Sequence, residues 1–146
     1  MSLLTQKTLR KPLFISGIGI HKGKKANLKL LPALPNTGDS FKRVDLKKNN
    51  IIQANYKNVS NTMLCTTISN AFGASVSTIE HLMGALYGIG IDNLEIEIDT
   101  QEVPIMDGSA KFFIDAIKHV GIKESDQPIK ILKINRDIKI EEDGKF

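Results

Sequence analysis

The sequence has little of what several classes of protein require. It contains one cysteine, Cys65, so an intrachain disulfide is excluded and a reducing, cytoplasmic location is expected. No stretch approaches the roughly 20 consecutive apolar residues of a membrane-spanning helix. Basic residues and Pro12 also interrupt the apolar run near the N-terminus that a signal peptide needs. We therefore expect no transmembrane segment.

Aromatic residues are also few, with six Phe, two Tyr and no Trp. Residues 1–50 nevertheless carry eleven Lys and Arg against two acidic residues, whereas residues 51–146 carry nine against fourteen. A basic half can attract nucleic acid, an anionic membrane or a phosphorylated substrate, although a solvated lysine-rich surface explains the same composition. Because single-stranded nucleic acid stacks on aromatic side chains, we expect no nucleic-acid partner and keep a small basic nucleic-acid-binding domain as an alternative.

The remaining composition is typical of one globular domain. The chain has 146 residues, of which 41% are hydrophobic and 25% charged. Period-2 patterns and β-rich composition predict strands over residues 6–13, 24–31, 42–45, 51–56, 63–69, 93–99 and 129–141. Apolar residues at helical spacing predict helices over residues 77–87 and 109–120. This order of elements predicts an α+β fold with two helices on one face of a sheet.

The adjacent pair Glu80 and His81 is the sharpest candidate for chemistry. Neighbouring residues on a helix point ~100° apart, so an imidazole can bind a metal while a carboxylate reaches the attacking water. The positive end of the helix favours a neutral imidazole and an ionised carboxylate. Two plainer interpretations stay open. In these, Glu80 closes a capping box with Ser77, and His81 is a surface or packing histidine.

Other reactive side chains fit plainer roles as well. His21, in a loop between glycines, either lines a site or is a solvent-exposed histidine. Cys65, in a predicted strand, is typical of a small packed hydrophobe, because no partner base has a spacing that supports catalysis. His119 is expected to complement the dipole in the last turn of the second helix, and Asp107 is expected to cap the start of that helix.

Five segments, in order, resemble the family of zinc-dependent UDP-3-O-acyl-N-acetylglucosamine deacetylases of lipid A biosynthesis. Five ordered segments are far more specific than one motif, and the likeness runs over residues 6–146. The segments are residues 17–24 (GIGIHKGK), 61–66 (NTMLCT), 77–82 (STIEHL), 90–93 (GIDN) and 103–109 (VPIMDGS).

The resemblance implies a two-domain enzyme. Each domain is a two-layer sandwich, here a mixed β-sheet with two helices on one face, of the ribosomal S5 domain 2-like type. The implied reaction removes the N-acetyl group of UDP-3-O-acyl-N-acetylglucosamine, which is the committed step toward lipid A in Gram-negative bacteria. On this resemblance His81 is a zinc ligand and Glu80 is the general base on the zinc-bound water. The residues implied to contact the substrate near the metal are Met63, Leu64, Cys65 and His21.

The chain departs from the family pattern in one respect. The family's other two zinc ligands lie in a His-Lys-x-x-x-Asp motif of the second domain, and here Ala26 stands where the aspartate after His21 would be. We therefore expect residues 1–126 to form the N-terminal domain and residues 127–146 the opening strand of a truncated second domain. The missing half is expected to supply the remaining zinc ligands, so this chain is expected to be inactive alone. It is also expected to self-associate through its exposed domain interface, the small-residue helix face that holds Gly84. The alternative to the enzyme function is a non-catalytic fragment.

Overall fold

The computed structural model describes residues 4–141 of the chain. The two helices are α1, Glu80–Ile89, and α2, Lys111–Val120, and a short 3₁₀ helix covers Tyr56–Asn58. The strands are β1 Thr5–Leu9, β2 Leu13–Ile18, β3 Lys25–Pro32, β4 Asp39–Arg43, β5 Ile51–Gln53, β6 Val59–Asn61, β7 Thr67–Ser69, β8 Ser75–Val76, β9 Leu94–Ile98 and β10 Ile122–Pro128. No helix within this part of the chain is long and apolar enough to cross a membrane.

The central sheet has the strand order β2-β3-β9-β4-β5 and is mixed, because β4 runs parallel to β9 while the other neighbours are antiparallel. Leu28 on β3 lies opposite Ile15 on β2 and Ile98 on β9. Phe41 on β4 lies opposite Ile96 on β9. All five are buried, so the predicted alternation along β3 is confirmed and one face of the sheet forms the core.

Both helices cover this apolar face. The core contains Leu82 and Leu86 from α1 and Phe113 and Ile117 from α2, together with the inward side chains of the sheet. Phe112, next to Phe113 on α2, is 37% exposed. The predicted α+β architecture, with both helices on one face of a mixed sheet, is thus confirmed at the level of its two layers.

The opposite face of the sheet is polar. Lys42 lies 2.9 Å from Glu97 and 3.3 Å from Glu95, and Lys29 lies 3.7 Å from Glu97. The Lys42 contacts hold the pKa of the Glu97 carboxyl below its usual range. Part of the basic excess of the first fifty residues is therefore neutralised by acidic residues from β9.

Two smaller sheets flank the central one. Strand β1 pairs antiparallel with β10, and β6, β7 and β8 form a three-stranded sheet. The prediction of one strand over residues 6–13 is wrong, because β1 ends at Leu9 and β2 of the central sheet begins at Leu13. Pro12 has no backbone N–H for a ladder, and the N–H of Arg10 already bonds to the carbonyl of Gly121 at 2.8 Å.

Two further strand predictions are corrected. Within residues 63–69 only Thr67–Ser69 is a strand, because Asn61 accepts a bond from the N–H of Met63 at 2.7 Å and Leu64 has a φ of 62°. Residues 129–141 have no regular secondary structure, and the strand of this region is β10. The proposed boundary after residue 126 falls inside β10, and residues 142–146 lie outside the described residues. The division into domains stays a prediction.

Candidate functional site at the N-terminal end of α1

Helix α1 begins at Glu80, three residues later than predicted, and the proposed capping box does not form. Ser77 is engaged elsewhere, because its N–H and its hydroxyl both donate to the carbonyl of Gln101, at 2.9 and 3.2 Å. The helix start at Ile79 has no side-chain cap. Instead, Oε2 of Glu80 accepts a hydrogen bond from the backbone N–H of Thr66 at 3.0 Å. Glu80 therefore points toward the 62–66 loop.

His81 occupies the first turn of α1 and is half-buried. Within residues 4–141 its imidazole makes no hydrogen bond or ion pair. Gly84 and Gly88, on the same side of the helix, are exposed, and a Cβ added to either would meet nothing within 4 Å, whereas Ala85 is buried. The small-residue face at Gly84 and Gly88 is thus open to solvent, and the imidazole has no protein partner that would prevent it from binding a ligand.

The 62–66 loop carries three of the predicted substrate-contacting residues. Met63 is 78% exposed and Leu64 is 90% exposed. Cys65 is half-buried, and its Sγ lies 3.9 Å from Oγ1 of Thr67. Cys65 lies in this loop, two residues before β7 begins at Thr67, so it is not the strand residue that we expected. The bond from Thr66 to Glu80 ties the loop to the helix.

His21 is exposed on a tight turn. The turn is closed by two bonds, from the N–H of Gly23 to the carbonyl of Gly19 at 3.0 Å and from the N–H of Gly19 to the carbonyl of Lys24 at 2.9 Å. The backbone N–H of His21 donates to Oε1 of Glu102 at 2.7 Å, and that of Lys22 donates to Oε2 at 2.9 Å. A carboxylate from a distant part of the sequence therefore holds the His21 loop.

The same carboxylate connects the loop to the start of α1. The hydroxyl of Thr78 lies 3.4 Å from Oε1 of Glu102, and the N–H of Val103 donates to the carbonyl of Ser77 at 3.1 Å. Sequence reasoning missed Glu102, because a single glutamate before a Val-Pro pair carries no periodic or spacing signal. Its position directly before the 103–109 segment is the one feature that could have drawn attention to it.

The 103–109 segment packs on the strand that precedes the His21 loop. A Cβ on Gly17 would lie 2.8 Å from Pro104 and 2.6 Å from the sulfur of Met106, so only glycine fits this approach. Asp107 accepts bonds from the N–H and hydroxyl of Ser109, which lower the pKa of its carboxyl. Because α2 begins at Lys111, Asp107 closes a turn before the helix and does not cap it.

Four of the five segments thus meet at one end of α1, while the fifth lies at the other. Residues 90–93 follow the C-terminal end of the helix, where Gly90 adopts a left-handed conformation with a φ of 73°. His119 lies exposed in the last turn of α2, as predicted. Among the described residues, no cluster of three or more His, Cys, Asp or Glu side chains is placed to hold a metal ion.

The structure is thus an α+β domain with a carboxylate and an uncommitted imidazole on consecutive residues at the start of a helix. The chain belongs to the UDP-3-O-acyl N-acetylglycosamine deacetylase family (LpxC), whose model matches residues 6–146. The resemblance of the five segments is thereby confirmed.

Curated relatives named UDP-3-O-acyl-N-acetylglucosamine deacetylase match nearly the whole chain. The relative from Pseudoalteromonas atlantica is 46% identical over 144 residues, which cover 99% of this chain and 47% of that protein. Relatives from Actinobacillus succinogenes and Haemophilus influenzae are each 42% identical with the same coverage. The chain spans about half the length of the curated relatives it matches.

Proposed function

We propose that this chain supplies the N-terminal part of a zinc-dependent deacetylase that removes the N-acetyl group of UDP-3-O-acyl-N-acetylglucosamine in lipid A biosynthesis. The observation that carries the proposal is the meeting of four family-like segments around Glu80 and His81 at the start of α1. We place the reaction in the cytoplasm of a Gram-negative cell, where a single cysteine stays reduced. The family relation is also our basis for the ribosomal S5 domain 2-like fold type.

The residues present fit one part of a zinc site. The half-buried imidazole of His81, which has no protein partner within residues 4–141, is a suitable ligand. Catalytic zinc sites normally use three protein ligands, so the other ligands come from the remaining half of the protein. When bound, zinc supplies an activated water at neutral pH and polarises the amide carbonyl.

Glu80 acts as the general base. Its Oε2 is held by the N–H of Thr66, while Oε1 accepts no hydrogen bond from the described residues and is free to take a proton from the attacking water. The contact with Thr66 also fixes the base relative to the loop that borders the substrate.

The exposed apolar side chains of Met63 and Leu64, together with Cys65, border the substrate near this base. His21 approaches the substrate from the loop held by Glu102. The open face of α1 at Gly84 and Gly88 receives the second half of the protein, because small residues permit close approach of another backbone. In its absence, we propose that the same face mediates self-association, which sedimentation of the 146-residue chain would detect as dimers.

The proposal is tested by joining this chain to the C-terminal half of the Pseudoalteromonas atlantica relative. We expect the joined protein to release acetate from UDP-3-O-acyl-N-acetylglucosamine. His81→Ala should lower both zinc content and acetate release, because it removes a ligand. The matched control, His119→Ala, should change neither, since that histidine is exposed on α2. Unchanged zinc content and turnover in the His81→Ala protein would contradict the proposed role.

A further inference from the structure

We propose that Glu102 is a positioning residue that holds the His21 loop against the segment leading into α1, in the arrangement that deacetylation uses. This inference rests on the proposed function and extends it to a residue outside the Glu80–His81 pair. Glu102 is 81 positions from His21 in sequence, yet its Oε1 lies 2.7 Å from the backbone nitrogen of that residue.

The first argument is that the Glu102 carboxylate is buried without a cationic partner. Glu102 is only 3% exposed, and within residues 4–141 no lysine, arginine or histidine side chain forms an ion pair with it. Its hydrogen-bond donors are two backbone N–H groups and one hydroxyl. Removing a charge from water is costly unless it is paired and hydrogen-bonded, and here three donors compensate the carboxylate without any cation. A buried carboxylate at this position therefore points to a role beyond packing.

The second argument is that three donors from two segments of the chain hold Glu102. The N–H groups of His21 and Lys22 approach from the loop, and the hydroxyl of Thr78 approaches from the segment before α1. A Cβ on Gly19 would lie 2.5 Å from Oε2, so the loop backbone also presses directly on the carboxylate. The position of the loop and the position of the carboxylate thus determine one another.

The third argument is local strain beside the candidate base. Thr78 is 2% exposed and has a φ of 57°, a left-handed conformation that is rare for a β-branched residue. Such conformations persist where surrounding contacts impose them, and they concentrate at functional sites. Thr78 precedes Glu80 by two residues, so its contact with Glu102 connects the His21 loop to the backbone that positions the Glu80 side chain.

Glu102→Gln is the most informative substitution. Glutamine keeps the shape and one acceptor oxygen, but its amide nitrogen would face a backbone N–H, donor against donor. The matched control is Glu95→Gln, the same change on the polar outer face of the sheet. Gly19→Ala is the second variant, because its added methyl group must displace the carboxylate without touching its charge.

The first measurement uses the 146-residue chain and does not depend on activity. We expect Glu102→Gln and Gly19→Ala to accelerate hydrogen exchange at the amides of His21 and Lys22 by about tenfold or more, as loss of a charge-assisted hydrogen bond requires. Amides within α1 should exchange as in the parent chain, and Glu95→Gln should change nothing. Unaltered exchange at His21 and Lys22 in both folded variants would overturn the proposal.

The second measurement uses the joined protein described above. Glu102→Gln should lower kcat by about 10- to 100-fold, the range expected when a reacting group is misplaced, with zinc content unchanged and KM altered less. In a His21→Ala background the same substitution should lower kcat by no more than about threefold, because both changes act through one loop.

A purely structural role of Glu102 predicts a different result when the parent and His21→Ala backgrounds are compared. If Glu102 only stabilises the fold, its effect should be the same in both backgrounds, and additive losses would overturn the positioning role. Faster loop exchange with unchanged kcat would overturn it as well. A joined protein that releases no acetate in any form would refute the proposed function, and the exchange rates alone would then decide whether Glu102 holds the loop.

Discussion

At each end of helix α1 a buried polar side chain binds the backbone of a neighbouring loop, but the two side chains differ in charge. At the C-terminal end, Asn93 is 2% exposed and accepts bonds from the N–H groups of Thr37 and Gly38, both at 3.0 Å. Its amide nitrogen donates to Gln6 at 2.9 Å. At the N-terminal end, the buried side chain is the charged Glu102, and the imidazole of His81 contacts no polar partner in the described chain.

This difference is one of charge. Neutral amides that satisfy each other hold two loops together without placing a charge in the interior. A buried carboxylate without a cationic partner is a more costly arrangement than these neutral amides. We infer that changes at the N-terminal end reduce turnover and that changes at the C-terminal end reduce stability.

The largest expected effect is that of Glu80→Gln on turnover of the joined protein. Loss of a general base lowers rates by ~10²–10⁴-fold, and we expect a loss of that order in acetate release. The glutamine oxygen can still accept the bond from Thr66, so zinc content and the melting temperature should stay close to those of the parent. Near-normal turnover with saturating zinc would remove Glu80 from the mechanism.

At the other end of the helix, Asn93→Ala should lower the free energy of unfolding and leave turnover of the joined protein unchanged. It removes the acceptor of the Gly38 N–H, one of two acceptors of the Thr37 N–H and one of two donors to Gln6 Oε1, which should cost about 2 kcal/mol of unfolding free energy. Urea titration of the 146-residue chain measures this. Asn58→Ala, which removes a half-buried asparagine with one side-chain bond to a backbone carbonyl, is the control and should cost well under half as much.

Asp39, near the C-terminal end of α1, should make the stability of the fold depend on pH. Burial, reinforced by the charge of Asp92, raises the pKa of the Asp39 carboxyl from 3.8 to about 7, and its Oδ1 has no hydrogen-bond partner. The folded chain therefore holds a proton that the unfolded chain releases, so stability should fall as pH rises from about 4 to 7 and then level off.

Asp39→Asn should abolish this fall. From the raised pKa we expect the parent to lose on the order of 2 to 3 kcal/mol between pH 5 and 7, and the variant to lose little. Urea titrations of both chains across that range measure the difference. Parallel pH profiles for the parent and the variant would show that another group is responsible.

The smallest expected effect concerns zinc and this chain alone. With one suitable imidazole at the helix start, the 146-residue chain should retain no stoichiometric zinc after washing with a chelator, and His81→Ala should leave that result unchanged. Metal analysis of the washed protein measures it. Stoichiometric zinc lost only in the His81→Ala chain would show that the N-terminal end of α1 is a more complete site than we infer.

The sequence predicted the local features well and the long-range ones poorly. The alternation along β3 and the apolar stripe of α1 are visible within a few residues, and so is the Glu80–His81 pair. The Glu102 contacts could not be predicted, because they join residues about eighty positions apart and depend on how the sheet brings their segments together. The predicted capping box failed for a related reason, since Ser77 is committed to a backbone partner from a later segment.

The pairing of β1 with β10 has a consequence for synthesis on the ribosome. Leu9 pairs with Ile122, so β1 has no partner until 113 further residues have been made. This takes roughly 6 to 23 seconds at usual rates of elongation. During that interval β1 has an unpaired edge, a template for pairing with other nascent chains. Closure of this ribbon over so long a separation is expected to be a late and slow event in folding.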